Sequence, residues 1–229
     1  MYCLRAFRAI DDLKTCERFY SGHHGVLSAY GVTQITSASV DWFHNPGVYG
    51  VIAESDDGSK VYGGVKIHVA NKVQPLPVET AVGYMDEKVY DYIESYHTGG
   101  AGEACGLWNS REVAGMGIST LLMLAIVSIT NQIGVKTLFG LSSDHTIKLF
   151  RKIGYRVVKS LGNNGDFVYP TPEYLARVIK MDTIKIKSAD PQFRQRIFEL
   201  RELPEQNYFE NVGKGGLNIQ YKLRLPEHL

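Results

Sequence analysis

Apolar and polar positions along the chain change period several times, and each change marks an element. Residues 2–7, YCLRAF, predict a short strand. Asp11 and Asp12 follow, and then Leu13, Cys16, Phe19 and Tyr20 recur at the spacing of one helix face. Residues 48–55 (VYGVIAES) and 60–70 (KVYGGVKIHVA) are rich in β-branched and aromatic side chains. Asp57-Gly58 between them readily takes the positive φ of a tight turn, so these two runs predict a hairpin. From Pro75 to Gly102 the pattern breaks. A proline-rich start, a helical stretch over 85–97 and a glycine loop predict an insertion at about 75–100 between sheet strands.

The clearest succession comes next. EACGLWN (103–109) reads as a strand, GMGIST as a turn into a helix, and VKTLFGLSS (135–143) as a strand. DHTIKLFRKIG (144–154) then reads as a helix and YRVVKSLG (155–162) as a strand. Strand–helix–strand at this spacing implies a parallel pair joined by a crossover in an α/β layer. The helix from Ile118 is apolar nearly all round until Asn131, which predicts burial on most faces. Beyond Met181 a helix over 190–203 places Phe193, Ile197 and Leu200 on one stripe, and residues 217–225 alternate as a last strand. The expected organisation is one α/β domain over 1–180, with 181–229 as a helix–strand extension packed on it. The last strand has two available partners, its own sheet or the edge of a second copy, so a homodimer stays open.

Composition narrows the function. The chain has 229 residues, 25 basic against 24 acidic, for a formal charge of +1. That balance gives no field favouring nucleic acid or an anionic membrane. Cys3, Cys16 and Cys105 are too scattered for a disulfide framework or a zinc knuckle, and no metal site is expected. The start lacks a signal-peptide pattern, and LLMLAIV is far shorter than the roughly 20 residues of a membrane span. A cytoplasmic location is the expectation.

The glycine turn Gly115-Met116-Gly117 carries the candidate chemistry. A helix start exposes unpaired N–H groups and the positive end of the helix dipole, and glycines let those amides approach a phosphate. A tight corner is the plainer alternative. No Gly-Lys-Ser/Thr follows, so the turn is not a P-loop. Thr120 occupies the place where a dinucleotide fingerprint needs its third small residue.

Taken together, residues 103–155 resemble the core of the GNAT superfamily of N-acetyltransferases. EVAGMG corresponds to the signature of Gln or Arg, two residues, Gly, one residue, then Gly or Ala. LFRKIGY corresponds to the closing block, with Phe150 four residues before Gly154-Tyr155. The resemblance implies a mixed, mostly antiparallel central sheet with helices on both faces. It also implies acetyl-CoA or another acyl-CoA as cofactor. The pyrophosphate would lie on Gly115, Met116, Gly117, Ile118, Ser119 and Thr120. Backbone amides around Leu107, Trp108 and Asn109 would hold the pantetheine arm, with Ser143 and Phe150 across the gap. Two departures stand out: Glu112 replaces the usual Gln or Arg, and Phe150 replaces the Tyr that in many members protonates the departing thiolate.

Acyl transfer from a thioester to an amine needs a base, oxyanion stabilisation and a proton for the thiolate. Glu103 is the best candidate base, because strand alternation puts it on one face with Cys105, Leu107 and Asn109. His145, after the next strand, is the second candidate. Tyr155 or a water is the candidate acid. Tyr84, Tyr90, Tyr92 and Tyr96 belong to the insertion and are candidates for an acceptor wall. The resulting expectation is an acyl-CoA-dependent N-acyltransferase, with acetyl transfer to a small-molecule or peptide amine. Two alternatives stand beside it: a long-chain N-acyl amino acid or acyl-homoserine-lactone synthase, and a non-catalytic acyl-CoA-binding module. An acyl carrier protein is the less favoured donor, since the sequence shows no strong basic patch for it.

Overall fold

The β-branched runs and the apolar helix settle into one continuous sheet with helices on both faces. The structure, a computed structural model, describes residues 1–29, 31, 39–71 and 74–226. Strand β1 (Tyr2–Arg8) leads into helix α1 (Leu13–Ala29), and β2 (Val48–Ser55) and β3 (Val61–Val69) form the hairpin across Asp57-Gly58. Residues 75–100 carry two short helices, α2 (Pro77–Val82) and α3 (Lys88–Glu94). Then β4 (Ala101–Asn109), α4 (Ile118–Ser128), β5 (Thr137–Ser143) and α5 (Ile147–Ile153) come in the order the pattern predicts. After them run β6 (Arg156–Val157), β7 (Asp166–Val168), β8 (Leu175–Asp182), α6 (Pro191–Glu202), β9 (Glu205–Val212) and β10 (Gly215–Lys222).

Among the described residues the sheet order is β6-β8-β5-β4-β3-β2-β1-β10-β9, with β7 also on β8. Among the described strands only β4 with β5 and β1 with β10 are parallel. One face is covered by α4, α5 and α6, whose Leu121, Ile126, Phe150, Ile153, Ile197 and Leu200 share a core with Val51, Val65 and Ala104. The other face carries α1 over Phe7, Ile52 and Trp108, and α2 and α3 over Ala101, Phe139 and Val178. Of the eleven residues of α4, nine are buried, which accounts for its near-uniform apolarity.

Two expectations need correction. The strand expected over 155–162 amounts to Arg156–Val157, and the place beside β5 belongs to β8. Arg177 and Lys180 interrupt the apolar run of β8, so its pattern is masked in the sequence. Strand β9 was also not foreseen, since its Glu, Asn and Gln residues disfavour a strand until β10 supplies a ladder. The terminal strand β10 pairs with β1 of its own sheet.

Candidate functional site

Strands β4 and β5 pair only where Ala101–Glu103 faces Thr137–Phe139. Both strands continue, but β5 bonds onward only with β8, and a gap opens between β4 and β5. The gap holds a cavity of about 260 Å³. Glu103, Cys105 and Leu107 line it from β4, Met123 from α4, Ser143 and Phe150 from the β5–α5 side, and His23 and Leu27 from α1.

A bulge shapes the β4 wall. Gly64 pairs with Trp108 and Lys66 with Cys105, so two residues of β4 oppose one of β3. Gly106 takes up the extra residue at φ +62, a left-handed conformation that favours glycine. The bulge also resets the alternation expected from the sequence. Glu103 and Cys105 keep the α1–α2 face, whereas Leu107 packs with the α4 core. Asn109 lies on that second face too, accepting a hydrogen bond from Ser119 Oγ of α4. Trp108 points the opposite way, into the α1 core, where Gly22 leaves room for its ring.

Glu103 is 2% exposed, and its Oε2 accepts a hydrogen bond of 2.7 Å from the backbone N–H of Val78. That N–H is in the first turn of α2, so the insertion holds the carboxyl in place. Glu79 fastens the same turn by accepting from Leu76 N–H at 2.7 Å. Burial pushes the Glu103 carboxyl up to about 8, opposed by the Val78 hydrogen bond and the charge of Lys66. Burial likewise brings the Lys66 ammonium down to about 8 and His23 down to about 4. The Cys105 thiol is raised by burial, which keeps it protonated and a poor nucleophile.

The structure leaves the other candidates at different distances from the chemistry. His145 is exposed in the turn after β5 and is not on the cavity wall, where His23 stands instead. Tyr155 is fully buried beside Phe150, ring centroids 5.1 Å apart, and its hydroxyl has no hydrogen-bond partner. Tyr92 and Tyr96 pack on Phe139 and Lys180, while Tyr84 and Tyr90 are exposed; none of the four lines the cavity. His23 stands beside His24 in the sequence with no partner at ligand spacing, and nothing in a helix names which strand it will face.

The glycine turn caps α4. Gly117 is its N-cap at φ +89, and Gly115 has φ +78. Ile118 is buried, and Met116 N–H is spent on Val113 O. Glu112 is tied outward by Lys60 at 2.7 Å, which removes its charge from the turn. The tip of the β9–β10 hairpin lies against the turn, and Lys214 N–H donates to Gly115 O at 3.2 Å. Elsewhere the fold gathers Arg151, Lys152, Arg156 and Lys159 on one surface, a basic group that is dispersed in the sequence.

A splayed parallel pair, a bulged strand and a glycine-capped helix on one sheet define the fold of the GNAT-type acyltransferases, and this chain has that fold. No family model and no curated protein matches the chain. Solved structures do. FeeM, an N-acyl amino acid synthase from uncultured soil microbes, superposes with a TM-score of 0.61 at 12% identity, over 85% of this chain and 98% of that one. BjaI, a CoA-dependent acyl-homoserine lactone synthase with SAM and isopentyl-CoA, gives 0.55 at 11% identity, over 86% and 90%. NAA60 of Arabidopsis thaliana, in complex with a bisubstrate analogue, gives 0.53 at 14%, over 80% and 99%. Among the described residues no helix is long and apolar enough to cross a membrane.

Proposed function

We propose that the protein is an acyl-CoA-dependent N-acyltransferase that passes an acyl group to a primary amine. One observation carries the reading. A buried carboxyl near its ionisation point, Glu103, stands at the opening of the β4–β5 gap, on the wall of an apolar cavity. A base works best when its pKa lies near the operating pH. The thioester supplies the activated acyl carbon. The acceptor nitrogen forms a bond to that carbon, the C–S bond breaks, and one amine proton goes to Glu103. The thiolate takes a proton from solvent, since Tyr155 is fully buried and off the cavity wall, yielding the amide and the free thiol.

The glycine turn fits the cofactor's pyrophosphate: Gly115 presents no Cβ, its open side meets only the Lys214 chain at 3.6 Å, and Glu112 is neutralised. Gly115, Gly117, Ile118, Ser119 and Thr120 would form the cradle. Leu107, Asn109, Ser143 and Phe150 would flank the arm.

A second reading concerns the acyl chain. Leu27, Val65 and Met123 also line the cavity of about 260 Å³, which gives more apolar room than an acetyl group fills. This supports an acyl chain longer than acetyl. Calorimetric titration of coenzyme A, acetyl-CoA and a long-chain acyl-CoA, followed by thiol release with an amine panel, tests both readings. Micromolar binding and amine-dependent thiol release are expected, with the ranking of chains giving the donor. Absence of binding by all three compounds overturns the assignment.

A further inference from the structure

His23 follows Cys16 and Phe19 on the buried stripe of α1, the stripe turned onto the sheet. A leucine there would fill the same space, whereas a histidine gives up water from two ring nitrogens. The residue is 4% exposed, and its ring stands edge-on to Phe19, centroids 6.1 Å apart. It makes no hydrogen bond to any other described residue. Yet His23 is on the wall of the cavity in the β4–β5 gap. A buried polar ring facing a cavity without a protein partner is a position prepared for a ligand atom.

The ring is laid against the β4 bulge. A Cβ at Gly106 would lie 3.6 Å from His23 Cε1, the ring carbon bonded to both nitrogens. Glu103 is three residues before Gly106, at most about 10 Å away along an extended strand. The Glu103 carboxyl and the His23 ring therefore line one cavity on the same side of the sheet, spaced to flank a single acyl carbon.

We infer that His23 is the oxyanion donor of the acyl transfer, its ring N–H bonding the thioester oxygen that gains charge when the amine adds. The inference rests on the acyl-transfer reading and adds to it the group that Glu103 cannot supply. As the amine nitrogen bonds to the acyl carbon, the carbonyl π pair moves onto oxygen and is held by the His23 N–H. No proton leaves the imidazole. The pair then returns and the C–S bond breaks. Burial, with Lys66 and His24 nearby, brings the ring down to about 4, so it stays neutral where Glu103 titrates. A neutral imidazole always carries one N–H, and so weak a base leaves the amine proton to Glu103. A preorganised donor in a site stripped of water is worth far more than the same donor in solvent.

The test binds acetyl-CoA and octanoyl-CoA, each isotope-labelled at the thioester carbonyl, to the full chain and reads them by infrared difference spectroscopy. The carbonyl band should lie lower in the wild type than in His23→Leu, with affinities within about threefold by calorimetry. Turnover of His23→Leu should fall about 10²–10³-fold, the usual cost of one oxyanion donor, with KM for the acyl-CoA unchanged. His23→Gln, which keeps an N–H, should recover at least about tenfold of that loss. Nitrogen NMR of labelled histidines adds an arm that does not depend on His23→Leu folding. The ring signal missing from His23→Gln should shift with acyl-CoA and stay in place with coenzyme A, which lacks the carbonyl. An equal carbonyl band in wild type and His23→Leu, or equal turnover, with acyl-CoA still bound, overturns the inference and leaves the transferase reading standing. A wild type that binds neither acyl-CoA overturns the transferase reading, and with it the inference built on it.

Discussion

Val212 packs onto Gly117. A Cβ at Gly117 would come within 2.7 Å of Val212 Cγ2, and the residue holds φ +89. The glycine is needed both for left-handed backbone and for the hairpin that closes over it. Gly117→Ala should destabilise the protein by roughly 1–3 kcal/mol, measured as a lowered urea midpoint. Adding Val212→Ala should recover the steric part and leave the backbone part. A midpoint unchanged by Gly117→Ala would show that the hairpin tip does not sit as described.

Glu103→Gln keeps an acceptor for Val78 N–H and removes the proposed base. Thiol release should fall by about 10²–10⁴-fold while acyl-CoA affinity stays the same. A variant that binds and turns over like the wild type would remove Glu103 from the chemistry. Wild-type activity should also rise with pH through about 8, where Glu103 ionises against Lys66, Glu79 and the Val78 N–H. That rise should disappear in the variant.

The same carboxyl has a stability signature. Its folded pKa is raised, so the folded state binds the extra proton, and the stability this brings is lost as pH climbs from the ordinary carboxylate range to about 8. Lys66, lowered to about 8, changes stability only above that pH, and His23, lowered to about 4, works in the opposite sense at lower pH. The melting-temperature difference between Glu103→Gln and wild type isolates the carboxyl. It should grow in favour of the variant between pH 5 and pH 8, and a flat difference would contradict the burial of Glu103.

Gly106 meets only side-chain atoms at 3.4 Å or more, so the space admits a methyl and φ +62 is the obstacle. Gly106→Ala should cost about 1–2 kcal/mol in stability. It should reduce turnover further than stability alone explains, because flattening the bulge turns Leu107 out of the gap. Stopped-flow turnover at saturating substrate separates the two effects.

Arg196 Nε and Glu210 Oε1 are 2.7 Å apart and both nearly buried, and Tyr221 OH donates to the same oxygen at 2.6 Å. Glu210→Ala leaves the buried Tyr221 hydroxyl without its acceptor and Arg196 with only Glu199 and Gln206 as polar partners, and should cost about 1–3 kcal/mol by urea unfolding. The loss should loosen β9 and β10, and with them the hairpin over Gly117. Replacing Arg196, Glu210 and Tyr221 together with apolar residues should cost far less.

The sequence by itself determined the local parts. Period and turn chemistry marked β1 to β5, the Asp57-Gly58 hairpin, the buried helix after Gly117 and the α6 stripe, because each of those signals is carried by residues close along the chain. Glu103 was legible as a strand carboxylate for the same reason. What lay beyond reach depends on residues far apart. The bulge at Gly106, which turns Leu107 and Asn109 away from Glu103, exists only when β3 is laid beside β4. Strand β9 is polar enough that its ladder, not its composition, makes it a strand, and the apolar run of β8 is broken by Arg177 and Lys180. His23, Lys66 and His68 looked like unrelated polar residues until α1, β3 and α2 closed around Glu103. Burial by the tertiary structure, which strips water from those groups, is what sets them apart from other polar residues.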